Sequence, residues 1–554
     1  MFFNRKITGI YKESAVPVWL GTLLLAAAAA AIYLPWLNSG HELFRNESIQ
    51  AVIAKEFSVS APVPTAHHVQ LLSEGILFPA VSSLINRWSG LSMEISLRLV
   101  SLCMLIMTAV LAGFSASSRS ARAGLAAAAV TVSSVLAIDK AAEGYPTTMN
   151  GFLLLSAQLV YFHYGMRKAD WNLAWLLSAV LILLAFFSGG FRMLIYFIFP
   201  MFFFRRPLSV KSKFRKPGFI IAVILLSLAV SGYLLQFSLS TGKTLMGELL
   251  DNSFQNPDYW HELLAFPLMF PVRLLPWSII AWMPFCVALQ TIDPTPIFSR
   301  YLRTLTLSTL LLLWLMPAHD AREIIYMIGP LAIQIGIFYD HGMSRYGNRI
   351  RKFLITGELL IIVLLCIFVC VIALPENIIG SMFSISSSLS FRNSGTYRLE
   401  LLSTIGCCTA LGIFFYTGRR SSPVWLLLLT LSVAAGLFFG SVIAPYRAQD
   451  KRKRQLAADI TNALKNESVS RLYKYDIRGF YGGLFYTGIP VYQLNNVSDL
   501  PENTKTVYLI STKFPQTLDR KWSNLLAPNY VYQKEKIYLW KGVLKENNDL
   551  NFDH

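Results

Sequence analysis

Residues 16–37 read VPVWLGTLLLAAAAAAIYLPWL, and residues 38–57, which follow directly, read NSGHELFRNESIQAVIAKEF. The first stretch carries no charge over 22 residues, and a helix of roughly 20 apolar residues crosses the hydrocarbon core of a bilayer. Arg5, Lys6 and Lys12 precede it. Its alanine run resembles the apolar part of a signal peptide, but its length, in a chain that starts at Met1, favours a retained span. The second stretch places Ile49, Val52, Ile53 and Phe57 at helical spacing among Arg45, Glu47, Lys55 and Glu56. That is the pattern of a helix lying along a membrane surface. A span feeding a surface helix, with charges gathered at the junction, predicts a polytopic membrane protein whose chemistry takes place at a lipid interface.

The rest of the chain agrees. Of 554 residues, 54% are hydrophobic and only 14% charged, a composition outside that of water-soluble domains. About thirteen apolar segments recur between Val16 and Ile443, among them Ala123–Ile138, Trp277–Leu289, Ile324–Phe338, Phe353–Leu374 and Leu401–Tyr416. The net charge of +18 lies largely in short connections such as Arg119/Arg122, Arg167/Lys168, Arg205 to Lys216 and Arg345 to Lys352, as the positive-inside rule expects. It therefore signals topology rather than nucleic acid. With a cytoplasmic N-terminus these loops hold about twice the Lys and Arg of the opposite ones, and an odd number of spans places the C-terminus outside. The expected location is the inner (cytoplasmic) membrane, with the tail in the periplasm or its equivalent. Cys103, Cys286, Cys366, Cys370, Cys407 and Cys408 all fall in apolar segments and read as small core residues.

Two domains follow, a membrane domain over 1–445 and a soluble α/β domain over 446–554. In the tail, Leu456, Ile460 and Leu464 make one apolar stripe of a helix within Asp450–Lys465, and Arg471–Tyr475, Val507–Ser511 and Tyr530–Trp540 have strand character. Long outer segments, 38–96, 238–276 and 375–400, are candidates for function.

Charged residues collect at one predicted depth: Glu42, Arg45 and Glu47; Asp139, Lys140 and Glu143; Arg192; Arg273; and His319, Asp320 and Arg322. Each is costly near hydrocarbon unless paired or used. Carboxylates beside arginines suit one reaction, in which a Glu takes the proton of an acceptor hydroxyl while Arg side chains hold a phosphate that leaves a sugar carbon.

The stretch Leu43 to Phe57 resembles the first-loop acidic motif and following helix of GT-C membrane glycosyltransferases, in the branch of protein O-mannosyltransferases and lipid A aminoarabinose transferases. Ser188-Gly189-Gly190-Phe191-Arg192, Leu275-Pro276-Trp277-Ser278, Arg322-Glu323-Ile324-Ile325-Tyr326 and the tail's Phe485-Tyr486-Thr487-Gly488-Ile489-Pro490-Val491 extend the likeness. The resemblance implies a polyprenyl-phosphate sugar donor, inversion at the anomeric carbon, and a glycolipid, glycan or protein acceptor at the outer face of the membrane. It implies catalytic roles for Glu47 and Glu143 and a donor-phosphate contact from Arg192. From the charged set and the motifs themselves, Glu42 joins the catalytic candidates, Arg273, Arg322 and Arg45 the donor-phosphate candidates, and Asn46, His67, His68, Tyr326 and Asp139 the substrate-binding candidates. The sequence departs from the family at two places. Asn46 stands where the first acid of the pair is expected, so Glu47 or Glu42 takes the proton. Gly75-Ile76-Leu77 stands where Lys-Pro-Pro is expected, leaving His67, His68 or Arg87 to meet the phosphate. No cofactor is expected, because His67-His68 with Glu74 and His261-Glu262 lack the spacing of a metal site. A transporter or a non-catalytic assembly protein is the alternative, and the absence of internal repeats argues against the transporter.

Overall fold

The structure is a computed structural model describing residues 16–37, 40–57, 64–241, 259–373, 423–440 and 452–544, with short gaps at 72–73, 206–207, 209, 211–212, 294, 317–320, 466, 468, 478, 502–503, 516–518, 527–530 and 533–534. The expected span Leu401–Tyr416 lies outside the described residues, as do His319 and Asp320. Two compact units emerge: Met1–Gly40, Arg98–Ser238 and Gly242–Tyr446 form one, and His41–Leu97, Leu239–Thr241 and Arg447–His554 form the other. The first loop, read from sequence as part of the membrane domain, thus groups with the tail.

The first unit is helical. Among the described residues five helices are long and apolar enough to cross a membrane: Val18–Leu37 (α1), Met93–Ser117, Trp171–Gly189, Pro217–Gln236 and Arg322–Gly357. Tyr259–Arg273 and Ser278–Phe285, bent by 105° at their junction, make a sixth if they count as one span. Ala121–Ser133, Phe191–Phe203 and Val424–Leu437 are shorter apolar helices. Two expected spans, Ile324–Phe338 and Phe353–Leu374, are one continuous helix, Ile325–Ala373. No proline follows Pro330 in it, so the basic stretch Arg345 to Lys352 continues the helix instead of turning the chain. The expected span Trp277–Leu289 breaks up instead into Ser278–Ala281, the 3-10 turn Met283–Phe285 and Val287–Gln290.

Small residues let the central helices approach closely. A Cβ on Gly336 would lie 2.5 Å from the Ala123 carbonyl oxygen and 2.9 Å from the Ala116 methyl. Backbone cannot yield as a flexible side chain does, so Gly336→Ala is expected to cost about 1–3 kcal/mol. A lowered unfolding temperature in detergent checks this, and an unchanged one would show that the helices part freely.

The second unit holds a five-stranded sheet, order Val491–Gln493, Leu472–Lys474, Thr506–Ser511, Tyr538–Leu544, Arg520–Asn524, parallel on its first three strands and antiparallel on the rest. Leu456 and Ile460 on the helix Arg452–Ala463, with Leu464 just after it, complete the expected stripe and pack with Leu472, Leu484, Ile510 and Leu539 in one core. From the first loop, helix Arg45–Glu56 (α2) buries Val52 and Ile53 with Ala66, against Tyr481 and Phe485 of the short helix Tyr481–Phe485. The face expected to meet lipid therefore packs on protein.

Candidate active site

In the first unit the site begins where a helix stops. Ala121–Ser133 ends because Ser134 is extended, at φ −67° and ψ 149°, and the chain then forms the π-helical turn Ala137–Ala141. The Leu275-Pro276-Trp277 segment fixes this break: Val135 N donates to the Leu275 carbonyl at 2.8 Å, and the buried Trp277 indole donates to Ser133 Oγ at 3.0 Å. Such turns re-aim side chains and recur at functional sites. Here the turn presents Asp139 and Lys140, followed by Glu143.

Lys140 Nζ lies 3.3 Å from Asp139 and 2.9 Å from the buried Glu143 carboxylate, and Arg322 Nη2 lies 2.7 Å from the other Glu143 oxygen. The Arg322 guanidinium also sits 5.0 Å from the centre of the Tyr145 ring, within cation–π range. The next residue, Glu323, turns the other way and pairs at 2.7 Å with Arg192 while accepting the Tyr196 hydroxyl, also at 2.7 Å. Tyr326 meets Tyr196 edge to face at 4.9 Å. Arg192 reaches this point because Gly190 breaks the chain between helices Trp171–Gly189 and Phe191–Ile198. Its φ of 69° and ψ of −159° suit only glycine.

Asp139, Lys140, Glu143, Arg322, Glu323 and Arg192 thus form one continuous array at helix ends. Of these, Arg192 keeps 42% of its side chain exposed against 8% for Glu323, so it is the cation best placed to meet an incoming anion. Glu323 was missed by sequence reasoning, although its signal was present, an acid directly beside Arg322. Arg273 ends the helix Tyr259–Arg273 half-buried and makes no ion pair among the described residues. The same unit contains an apolar groove of about 830 Å³ lined by α1, Met93–Ser117 and Ala121–Ser133, with Ala26, Ala30, Gly113 and Gly124 giving it depth.

In the second unit Glu47 is fully buried in the first turn of α2, where its Oε2 accepts the Phe44 amide at 2.9 Å. A carboxylate suits a helix N-terminus. Asn46 beside it is half-buried, and the Arg45 side chain lies outside the described residues. Glu42 caps the helix Arg452–Ala463, its two oxygens accepting the amides of Lys453 and Arg454 at 3.2 and 2.7 Å. That geometry makes it the cap of this helix.

The histidine pair also changes role. His67 and His68 have φ of 53° and 61° and join the two-residue strands Thr65–Ala66 and Val69–Gln70, the backbone of a tight hairpin turn with two left-handed positions. Glu56 accepts both their amides, at 2.8 and 3.2 Å. The His68 ring stacks on Tyr492 at 4.0 Å, and His67 lies between Lys474 and Tyr481. Burial, joined by the Lys474 ammonium, holds His67 down to about 3, and burial holds Lys474 down to about 8. His67 is therefore neutral at physiological pH and is no phosphate cation. Arg87 donates to the Phe57 carbonyl at 3.3 Å. Among the described residues no three His, Cys, Asp or Glu side chains gather as a metal-ligand group.

This sets a pH dependence. The unfolded chain protonates His67 near 6.5, whereas the folded chain resists until about 3. The stability contributed by the neutral ring is complete above pH 6.5 and falls as pH drops from there toward 3. His67→Asn, which also tolerates left-handed backbone, is expected to flatten the acid limb of the unfolding-temperature profile between pH 6.5 and 4. An unchanged limb would assign it to other groups.

No protein-family model and no curated protein matches the sequence. Among solved structures, the chain resembles ArnT from Cupriavidus metallidurans bound to undecaprenyl phosphate, with 13% identity, a TM-score of 0.67, and coverage of 95% of this chain and 98% of that one. The apo state of the same protein gives 12% identity, a TM-score of 0.64, and coverage of 94% and 97%. The chain therefore has the fold of that ArnT structure along nearly its whole length, a polytopic helical membrane architecture with a C-terminal sheet domain, as expected from the sequence.

Proposed function

We propose that this protein transfers a sugar from a polyprenyl-phosphate donor to a hydroxyl or phosphate group on a glycolipid, glycan or protein at the outer face of the inner membrane, with inversion at the anomeric carbon. The observation that carries the reading is the array Lys140–Glu143–Arg322 and Glu323–Arg192 at helix ends within an ArnT-like fold. ArnT has been solved with undecaprenyl phosphate bound, and a lipid phosphate is the anion such a depth in the membrane would offer.

In the reaction the acceptor oxygen bonds to the anomeric carbon as the bond from that carbon to the phosphate oxygen breaks. The acceptor's proton passes to a carboxylate, assigned to Glu47, and polyprenyl phosphate leaves with the electron pair. Arg192, Arg322 and Arg273 are assigned to the phosphate, where a planar guanidinium binds two oxygens and remains charged. Glu143 is assigned to orienting Arg322, and Tyr326 and Asp139 to the substrate. The apolar groove beside α1 suits the isoprenoid tail. No cofactor enters this scheme.

The test is mass spectrometry of lipid-linked sugars and envelope glycans from cells with and without the gene. Accumulation of one polyprenyl-phosphate sugar, with loss of that sugar from one acceptor, is the expected result and names both substrates. Unchanged pools would defeat the reading.

A further inference from the structure

Residues 41–44, which lead into the helix carrying Glu47, are held by residues of the tail through the Glu42 carboxylate and through the amide and carbonyl of Leu43. Glu42 caps the helix Arg452–Ala463 through the amides of Lys453 and Arg454. The Leu43 carbonyl accepts Lys453 Nζ, and the Leu43 amide donates to the Tyr486 hydroxyl at 2.9 Å. That hydroxyl in turn donates to Glu94, which also takes Arg454 Nη2 at 2.9 and 3.0 Å on its two oxygens. The Arg454 guanidinium lies 5.2 Å from the centre of the Tyr486 ring. Tyr486 follows directly on the helix Tyr481–Phe485, where Gly482 allows a close approach: a Cβ there would lie 3.0 Å from Lys453 Cδ and 3.4 Å from Ser48 Oγ on α2.

Each group in this cluster has a charge or hydrogen-bond reason to stay. Burial and the Glu94 carboxylate push the Tyr486 phenol up, so it remains a donor. Burial disfavours the Arg454 charge, but Glu94 more than offsets this and raises Arg454 above its ordinary value. Hydrogen bonds to charged partners of this kind are shorter and stronger than those between neutral groups. Nothing in the chemistry proposed above uses Tyr486, Arg454 or Glu94, yet they converge on backbone only a few residues before Glu47. Segments that must hold a reacting group within a fraction of an ångström need such support.

We propose that Tyr486, with Arg454 and Glu94, is a positioning clamp by which the tail domain fixes residues 41–44 and the first turn of α2, and so sets the place of Glu47. Its effect on catalysis rests on the assignment of the base to Glu47, whereas its grip on the segment does not.

The test uses the full-length protein in detergent or nanodiscs. Tyr486→Phe removes only the hydroxyl and keeps the ring for Arg454. Hydrogen exchange of peptides covering 41–50 is expected to accelerate about tenfold or more, the equivalent of one charge-assisted hydrogen bond. Exchange in the strand Thr506–Ser511 should be unchanged. With a donor and acceptor in hand, kcat should fall about tenfold while KM stays constant, the mark of misplaced chemistry rather than lost binding. Glu94→Gln, which keeps an acceptor for Tyr486 but loses the ion pair, should show a smaller acceleration. Unchanged exchange at 41–50 in Tyr486→Phe would overturn the clamp. Faster exchange with an unchanged kcat would overturn its positioning role. If the wild-type protein transfers no sugar, the functional reading fails, and the exchange rates alone decide whether the clamp exists.

Discussion

Glu47→Gln is expected to slow transfer by about 10²–10⁴-fold, the usual contribution of a positioned general base, in a protein that remains folded. An amide cannot take the acceptor's proton, but its carbonyl oxygen can still accept the Phe44 amide that Glu47 Oε2 now holds at 2.9 Å. The helix start should survive with a loss of about 0.3–1 kcal/mol, the contribution of a negative charge near a helix N-terminus. Activity and stability therefore separate in this variant, which makes it a clean test. Turnover near that of the wild type, at a normal unfolding temperature, would remove Glu47 from the mechanism. A variant that fails to fold would instead show that the buried carboxylate serves structure.

Glu143→Gln should have the largest effect on stability. Lys140 and Arg322 both converge on this carboxylate, at 2.9 and 2.7 Å, and Glu143 and Arg322 keep only 2% and 10% of their side chains exposed. Removing one member of a buried pair costs about 3–5 kcal/mol because the other charge is left in a poor solvent. Arg322→Met should cost less, since Lys140 still faces Glu143, and the double variant should cost less than the sum of the two. Unfolding in detergent with the three variants measures this coupling. Additive effects, or single losses below about 1 kcal/mol as for exposed pairs, would show that the array is solvated and contributes little to the fold.

Much of the membrane fold was legible because hydrophobic runs report directly on burial in lipid. The first span, α2, the tail's amphipathic helix and the strand regions Arg471–Tyr475 and Val507–Ser511 stand where the period of apolar residues places them, whereas the run Tyr530–Trp540 divides into Val531–Tyr532, Glu535–Lys536 and the start of Tyr538–Leu544. Other elements carried a misleading local signal. The cluster Arg345 to Lys352 looks like a loop by charge, but it lies inside the helix Ile325–Ala373, because charge alone does not stop a helix. The edge strand Arg520–Asn524 has the sequence RKWSN and pairs along one side only, so it carries none of the apolar density that marks a buried strand.

The site divides in the same way. Glu143, Arg192 and Arg322 were found because they lie at the ends of apolar runs at one predicted depth, and the structure draws them into one array. Glu42 was chosen by the same rule, and His67 and His68 as replacements for the Lys-Pro-Pro that the first loop lacks. A lone charge or imidazole in the sequence does not reveal whether it will cap a helix, as Glu42 does, or form a turn, as the histidines do. Glu94, Arg454 and Tyr486 went unassigned because their partners are hundreds of positions away, and a pairing across 360 residues leaves no local trace.

Whether the array in the helical unit receives the phosphate of a polyprenyl carrier is decided most directly by binding. The measurement compares undecaprenyl phosphate with undecaprenol, its phosphate-free counterpart, on the purified protein and on Arg192→Gln. Loss of one charged hydrogen-bonding partner corresponds to about 1.5–3 kcal/mol, so Arg192→Gln is expected to bind the phosphate about 10–100-fold more weakly. The wild type is expected to prefer the phosphate to the alcohol by at least as much. Equal binding of phosphate and alcohol by the wild type, or unaltered phosphate binding by the variant, would contradict a phosphate site at this array.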